Sequence, residues 1–481
     1  MVFPGFLASF FLNAVNTRSH YDVAIIGAGM SGLAAGIRLA HFGKRVCIFE
    51  RHNTVGGLNS FYSLGGRKFD VGLHAMTNFV RPGVKGTPLG KLLRQLRISR
   101  EEFALCEQKQ SRIAFGPHGE TSLRFTNDFG VLEGEIAEKF PAQIDGFRRL
   151  TAAVRAYDDV ALDAPAVSAR AMVRRHLTDP LLEHMLFCPV MYYGSASEHD
   201  MEFGQFVIMF QSIFLEGFAR PEGGIRPMLK LLLDRYAECG GELNYRCGVR
   251  EIHDAPGGGK TVILDDGREL RTAAVLSCAG YVETLRLCEP EPPDAEKHPA
   301  GQLTFMESIF VLNVPLASLG FDPCILFFNT SDRFHYRRPK TLVDASSGVA
   351  CAPDNFPDGG TPFPGGMFRL TQLVDHAPWF AMGPEEYRDA KARVLADQLA
   401  LAERLVPGLK AHVTKSDLFT PRTIERFTGH LNGNVYGSPV KSKDGTTPVP
   451  GVYICGTDQG FLGIIGSLLS GVSIANKYFL K

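Results

Sequence analysis

Residues 22–50, DVAIIGAGMSGLAAGIRLAHFGKRVCIFE, decide the fold. Val23, Ala24, Ile25 and Ile26 form a short continuous apolar run, the pattern of a parallel strand buried on both faces. Gly27, Gly29 and Gly32 follow at G-x-G-x-x-G spacing. In a strand–turn–helix unit the first glycine allows the tight turn, the second lets a pyrophosphate reach the backbone, and the third lets helix and strand pack closely. The spacing predicts a helix over about residues 31–42, stopped by Gly43, and a second strand, RVCIFE, ending on Glu50. Free N–H groups and the dipole at the helix N-terminus suit phosphates. A carboxylate about twenty residues past the glycines accepts both hydroxyls of an adenosine ribose and repels a 2′-phosphate. The segment reads as a dinucleotide-binding unit.

Composition narrows the partners. The 481 residues carry 51 Lys+Arg and 51 Asp+Glu, a formal net charge of zero. No broad basic field is present to hold nucleic acid. The length suits a large core divided into domains. Ten cysteines lie far apart with no C-x-x-C pair, which fits a reducing cytoplasm and offers neither a disulfide framework nor a metal pattern. The N-terminal MVFPGFLASFFLNAV lacks a basic n-region, contains Pro4 and is too short to span a bilayer. Residues 1–19 are read as an apolar leader, flexible or touching a membrane surface. The expected location is the cytoplasm, with peripheral membrane contact allowed.

Directly after Glu50 comes RHNTVGGLNSFYSLGGRKFDVGLHAMTNF, with a doublet at Gly56 and Gly57. A Rossmann turn followed by E-R-x-x-x-x-G-G resembles the start of the amine oxidase and phytoene desaturase superfamily. The resemblance implies non-covalent FAD, with the doublet against the pyrophosphate and ribityl region. Leu58 and Asn59 stand where that family often has Arg, so phosphate neutralisation falls to Arg51 or the backbone. FDVGLHAM (69–76), TPRTIERFTGHLNGNVYG (420–437) and GTDQGFLGIIGSLLSG (456–471) resemble elements of retinol saturases and carotenoid isomerases.

The remainder of the chain fits a second, discontinuous domain. Residues 221–252 predict a helix, a Gly-Gly turn and a strand, and residues 260–280 a hairpin at Asp266–Gly267 followed by a buried strand. The resemblance implies that this block returns to the nucleotide fold and that Val249 touches the adenine through its backbone. GGGKT (257–261) is no phosphate loop, because Asp254 occupies the first glycine position and a hairpin follows. The fold class expected is α/β: a Rossmann-type FAD-binding domain (20–100, 220–290 and 415–481) with a discontinuous α+β substrate domain (101–219 and 291–414). Residues 203–218, with five phenylalanines, are read either as a buried helix or as the wall of a greasy tunnel. The Pro/Gly loop APDNFPDGGTPFPGG could cover a tunnel mouth.

Near the C-terminus the buried strand VYICG ends at Gly456, and Asp458 and a helix bearing Gly463, Gly466 and Gly471 follow. Each glycine costs helix stability relative to alanine, so something must approach that backbone. The resemblance implies that Asp458 binds the ribityl chain, that glycines 463 and 466 let the helix approach the ring, and that the helix N-terminus stabilises negative charge on the reduced flavin. The reaction implied is hydride exchange with a carbon of a hydrophobic isoprenoid or polyene, its direction open among desaturation, saturation and isomerisation. His74 is a candidate proton donor or a structural histidine. Tyr192 and Tyr193 are candidates to supply a proton or to line the tunnel, and Glu216 competes with helix capping. No second Rossmann fingerprint is visible, so electrons are expected to pass to or from a separate carrier, oxygen or a quinone. Amine oxidation, and a non-catalytic carrier of the Rab escort or GDP-dissociation-inhibitor kind, are the competing readings.

Overall fold

The computed structural model describes residues 20–64, 66–72, 75–157, 167–293, 298–357 and 365–480; the leader 1–19, His74 and part of the Pro/Gly loop lie outside them. Strand β1 (His20–Ile26) leads into helix α1 (Met30–His41) and strand β2 (Val46–Glu50). β1 runs parallel to β2, with Val23 opposite Val46, and on its other edge parallel to strand Glu269–Ser277, with Val23 opposite Ala274. Both strands are buried where they pair, which is why they read as unbroken apolar runs rather than alternating ones.

Strand Glu269–Ser277 joins the two ends of the chain. Its first half is antiparallel to Lys260–Leu264, with Gly267 at φ +85° in the turn, and its second half lies parallel to Val452–Ile454. One strand therefore separates the first strand of the fold from the last. On one face of this sheet α1 packs on the terminal helix Gly463–Ile474 so closely that a Cβ on Gly471 would lie 2.0 Å from the Ser31 carbonyl oxygen.

A second seven-stranded sheet runs in the order Val413–Phe419, Thr304–Leu312, Gly366–Val374, Ser347–Cys351, Ile325–Asn329, Ser111–Phe115 and Thr121–Phe125. It takes in Val413–Phe419, beyond the expected boundary at 414, because that strand pairs antiparallel with Thr304–Leu312. Helix Pro384–Leu405 covers one face, with Pro384 in its first turn. Helices Pro180–Gly194 and Phe203–Phe210 cover the other. The second of these continues as a π-helical turn over Gln211–Glu216. Phe203, Phe206, Phe210 and Phe214 are buried and contact one another in succession along the helix, and Phe125 packs on both Phe214 and the buried Phe218, so this face belongs to the core. Among the described residues no helix is long and apolar enough to cross a membrane.

Candidate functional site

The carboxyl ends of β1, β2, Glu269–Ser277 and Val452–Ile454 open onto one cavity of about 930 Å³, bordered by Gly27, Gly29, Glu50, Ala279 and Gly456. Parallel sheets bind ligands at this edge. Gly27 turns the chain at φ +92°, and a Cβ on Gly32 would lie 2.1 Å from the Gly27 carbonyl oxygen. A Cβ on Gly29 would meet nothing within 4 Å, so this position faces open space. Helix α1 begins there with no acidic residue in its first turn and no side chain on its N–H groups. That is the arrangement an anion needs.

Glu50 is 8% exposed, and its two carboxylate oxygens accept the N–H groups of Ala28 and His52, each at 2.8 Å. A carboxylate has about four acceptor sites, so both oxygens can still take a ribose hydroxyl. The Gly56 N–H donates to the Ala28 carbonyl at 2.9 Å, and the doublet, at φ +108° and +56°, lies against the first loop. Val249 borders the same cavity, next to Cys247, whose N–H donates to the Glu50 carbonyl at 2.9 Å. Arg51 also borders it, but its Nη2 donates to the carbonyls of Glu425 and Arg426, at 3.3 and 3.2 Å. Arg51 thereby ties the end of helix Pro421–Thr428 to the nucleotide loop. These residues fit a flavin dinucleotide: a cradle at Gly29, a bare helix N-terminus and a carboxylate with spare acceptor sites.

A second cavity of about 200 Å³ adjoins the first, and Asn59, Val71, Phe419, Thr457 and Ser467 border both. The terminal helix opens onto it with Gly463, at φ +70°, followed by Ile464 and Ser467. Gly466 borders neither cavity; its missing side chain makes room for the backbone of Phe461, 3.2 Å from where a Cβ would stand. Gly471 serves helix packing instead. Of the helix glycines, Gly463 alone faces the chamber.

Residues 30–477 match the family of flavin-containing amine oxidoreductases. The chain belongs to that family. It is 24% identical to a chloroplastic prolycopene isomerase of Arabidopsis thaliana, over 96% of this chain and 83% of that protein. It is 25% identical to a lycopene-forming phytoene desaturase of Pseudescherichia vulneris, over 82% and 85%, and 22% identical to an all-trans-retinol 13,14-reductase of Rattus norvegicus, over 96% and 86%. An oxidoreductase structure from Methanosarcina mazei shares the fold at a TM-score of 0.67 and 18% identity, over 95% of this chain and all of that one, 100%.

In this flavin oxidoreductase the Asp458 side chain is a staple. It is 3% exposed, accepts the N–H groups of Tyr281 and Ser438 at 2.6 and 2.7 Å, and has the Lys441 ammonium 3.7 Å away. It borders neither cavity, whereas its neighbours Gly456 and Thr457 border the larger one. The ribityl contact that the resemblance implies for Asp458 is thus open to Thr457. Burial pushes the Lys441 pKa down to about 8, against the pull of Asp458. A lysine depressed in the folded state holds fewer protons than its unfolded counterpart between about pH 8 and pH 10.4, so its penalty is full at pH 7 and fades as pH rises. Relative to Lys441→Met, wild-type stability to urea is expected to rise by about 2 kcal/mol from pH 7 to pH 10. A flat difference would show that Lys441 titrates normally.

Tyr193 borders the chamber, packed on Phe218 and Phe327 with ring centres 5.1 and 5.5 Å apart. Its buried hydroxyl lies beside the Ala75 backbone without a hydrogen bond of acceptable geometry, and burial pushes its pKa well up, so it stays protonated. Tyr192 is engaged: its hydroxyl and that of Ser347 are 2.9 Å apart, and its carbonyl accepts from Tyr436. Glu216 accepts from Asn78 at 2.8 Å and borders neither cavity. The sole tryptophan, Trp379, is buried against Tyr387 and borders neither cavity, and the chamber's aromatic lining comes from tyrosine and phenylalanine.

Sequence reasoning missed Glu307. Strand registry sets Phe419, Glu307, Thr371 and Val349 in one row across the second sheet, and all four border the chamber. Glu307 is 7% exposed and paired with the buried Arg369; Arg220, equally buried, pairs with Asp70 at 2.7 Å. Burial pushes the Glu307 pKa up, and the guanidinium of Arg369 pulls it back. The available signal was a single acid inside the nine-residue strand TFMESIFVL, buried throughout.

Proposed function

We propose that this protein is an FAD-dependent oxidoreductase that acts on carbon–carbon bonds of a hydrophobic isoprenoid or polyene. The observation that carries the reading is the small chamber, walled by Phe305, Phe419, Val435 and Tyr436, that shares its rim with the nucleotide cavity at the start of the terminal helix. Its relatives include a prolycopene isomerase, a phytoene desaturase and a retinol reductase, whose names refer to polyenes. FAD, when bound, supplies hydride exchange at its ring. Glu50 and the Gly27–Gly29 loop would hold the adenosine and pyrophosphate; Asn59, Thr457 and Ser467 would hold the polar edge of the ring. The N-terminus of Gly463–Ile474 favours negative charge there. The apolar walls orient the chain and exclude water. Oxygen, a quinone or a separate carrier takes up the electrons in desaturation, and a reduced carrier supplies them in saturation.

The test compares lipid extracts from polyene-producing cells with and without the protein. A changed polyene absorbance spectrum is expected. Unchanged isoprenoids, together with peroxide release from an amine panel, would overturn the reading in favour of amine oxidation.

A further inference from the structure

Strands Glu269–Ser277 and Val452–Ile454 run parallel, with Ser277 opposite Ile454, and each is followed directly by a cysteine, Cys278 and Cys455. Their side chains meet: the two Sγ atoms lie 3.3 Å apart, and both cysteines are free thiols. The pair sits under the glycine turn. The Cys278 Cβ is 3.7 Å from where a Cβ on Gly27 would stand, and its Sγ is 3.1 Å from the same point on Gly32. Cys278 is partly exposed and borders the nucleotide cavity, whereas Cys455 is 3% exposed and borders neither cavity. The residues that follow them, Ala279 on one side and Gly456 and Thr457 on the other, border the nucleotide cavity too.

We propose that Cys278 and Cys455 are a redox modification site, at which hydrogen peroxide drives a reversible disulfide that cross-links the two strands framing the flavin cavity. Geometry favours this pair. Neighbouring strands lie roughly 4.7–4.9 Å apart, inside the roughly 4.4–6.8 Å between Cα atoms that a disulfide bridges. The chemistry has an order, because only Cys278 faces the cavity through which peroxide arrives. The bond to Cys278 and burial push the Cys455 thiol well up, so it remains protonated and acts second. The Cys278 sulfur attacks peroxide; an S–O bond forms, the O–O bond breaks, and the departing oxygen leaves as water with the thiol proton. The Cys455 sulfur then attacks the sulfenic acid; the S–S bond forms, the S–O bond breaks, and a second water carries off the remaining proton. Two thiols lose two electrons and peroxide gains them. In a reducing compartment such a bond is transient, as redox-sensing disulfides are.

The consequence follows from chain length. The cysteines are 177 residues apart in sequence, so the cross-link closes a long loop and restricts the unfolded chain. It also ties Ala279 to Gly456 across the cavity wall. Oxidation should therefore make the flavin fold harder to open.

The test uses the full-length protein with its flavin. Samples exposed to hydrogen peroxide, quenched with catalase and alkylated are digested and mapped by mass spectrometry. A peptide cross-linked through Cys278 and Cys455 is expected, with two of the ten thiols lost and both restored by dithiothreitol. The urea midpoint, read from protein fluorescence and from flavin release, is expected to rise by about 1 M on oxidation. Cys278→Ser and Cys455→Ser should each abolish the cross-link and the shift, and in Cys455→Ser dimedone should trap a sulfenic acid at Cys278. Should a serine variant fail to fold, the wild-type peptide map and the reversal of the urea shift by dithiothreitol still decide. Absence of the cross-link in wild type, a disulfide joining other cysteines in its place, or an unchanged urea midpoint in the cross-linked protein would overturn the proposal. None of these measurements involves a polyene, so their failure leaves the carbon–carbon reaction standing.

Discussion

Gly32→Val is expected to yield a protein that purifies without flavin and unfolds at markedly lower urea concentration than wild type. The added Cβ would stand 2.1 Å from the Gly27 carbonyl oxygen. Both atoms belong to backbone, one in the first turn of α1 and the other in the loop that must cradle the pyrophosphate, so neither can step aside as a side chain would. Overpacking of this kind costs about 1–3 kcal/mol, and at such a distance the upper end applies. The loop has to move, and the cradle moves with it. Gly29→Ala is the matched control. Its Cβ has open space, so the apoprotein should keep its stability while flavin affinity falls, because the methyl group occupies the cradle. Flavin absorbance per protein and urea unfolding of both variants measure the contrast. A yellow, stable Gly32→Val protein would show that α1 and β1 do not meet as described.

Arg369→Ala should be the most destabilising change in the second sheet. It removes the buried partner of Glu307, and stranding one member of a buried ion pair costs about 3–5 kcal/mol. The loss belongs to the charge left behind rather than to the bond itself. The double variant Arg369→Met with Glu307→Leu should therefore recover most of the stability, because an apolar pair of similar volume carries no desolvation penalty. Urea unfolding of the single and double variants measures this. A single variant within about 1 kcal/mol of wild type, or a double variant no better than the single, would show that Arg369 does not hold the Glu307 charge.

Much of the nucleotide site was legible because its signals are local. The requirement for glycine at 27 and 32 is a property of one turn and one helix–strand contact, and Glu50 sits at the end of the next strand, so spacing along the chain and spacing in space coincide. The smaller chamber was less legible. Glu307, Thr371 and Phe419 lie on three different strands and become neighbours through registry alone. Arg369 reads as a surface residue until the sheet buries it to 1% exposure. Gly463, Gly466 and Gly471 look alike in sequence yet face a cavity, a backbone turn and a neighbouring helix respectively.

By itself the sequence determined the βαβ unit, its glycine turn, the carboxylate that ends the second strand and the presence of a second α+β domain, since periodicity and turn chemistry act over a few residues. Tertiary structure alone decided that Asp458 staples Tyr281, Ser438 and Lys441 instead of bordering the cavity, and that Glu307 stands in the chamber floor. The physical reason is that a side chain's work depends on which N–H groups and charges reach it, and those partners lie as far as 177 residues away in the chain.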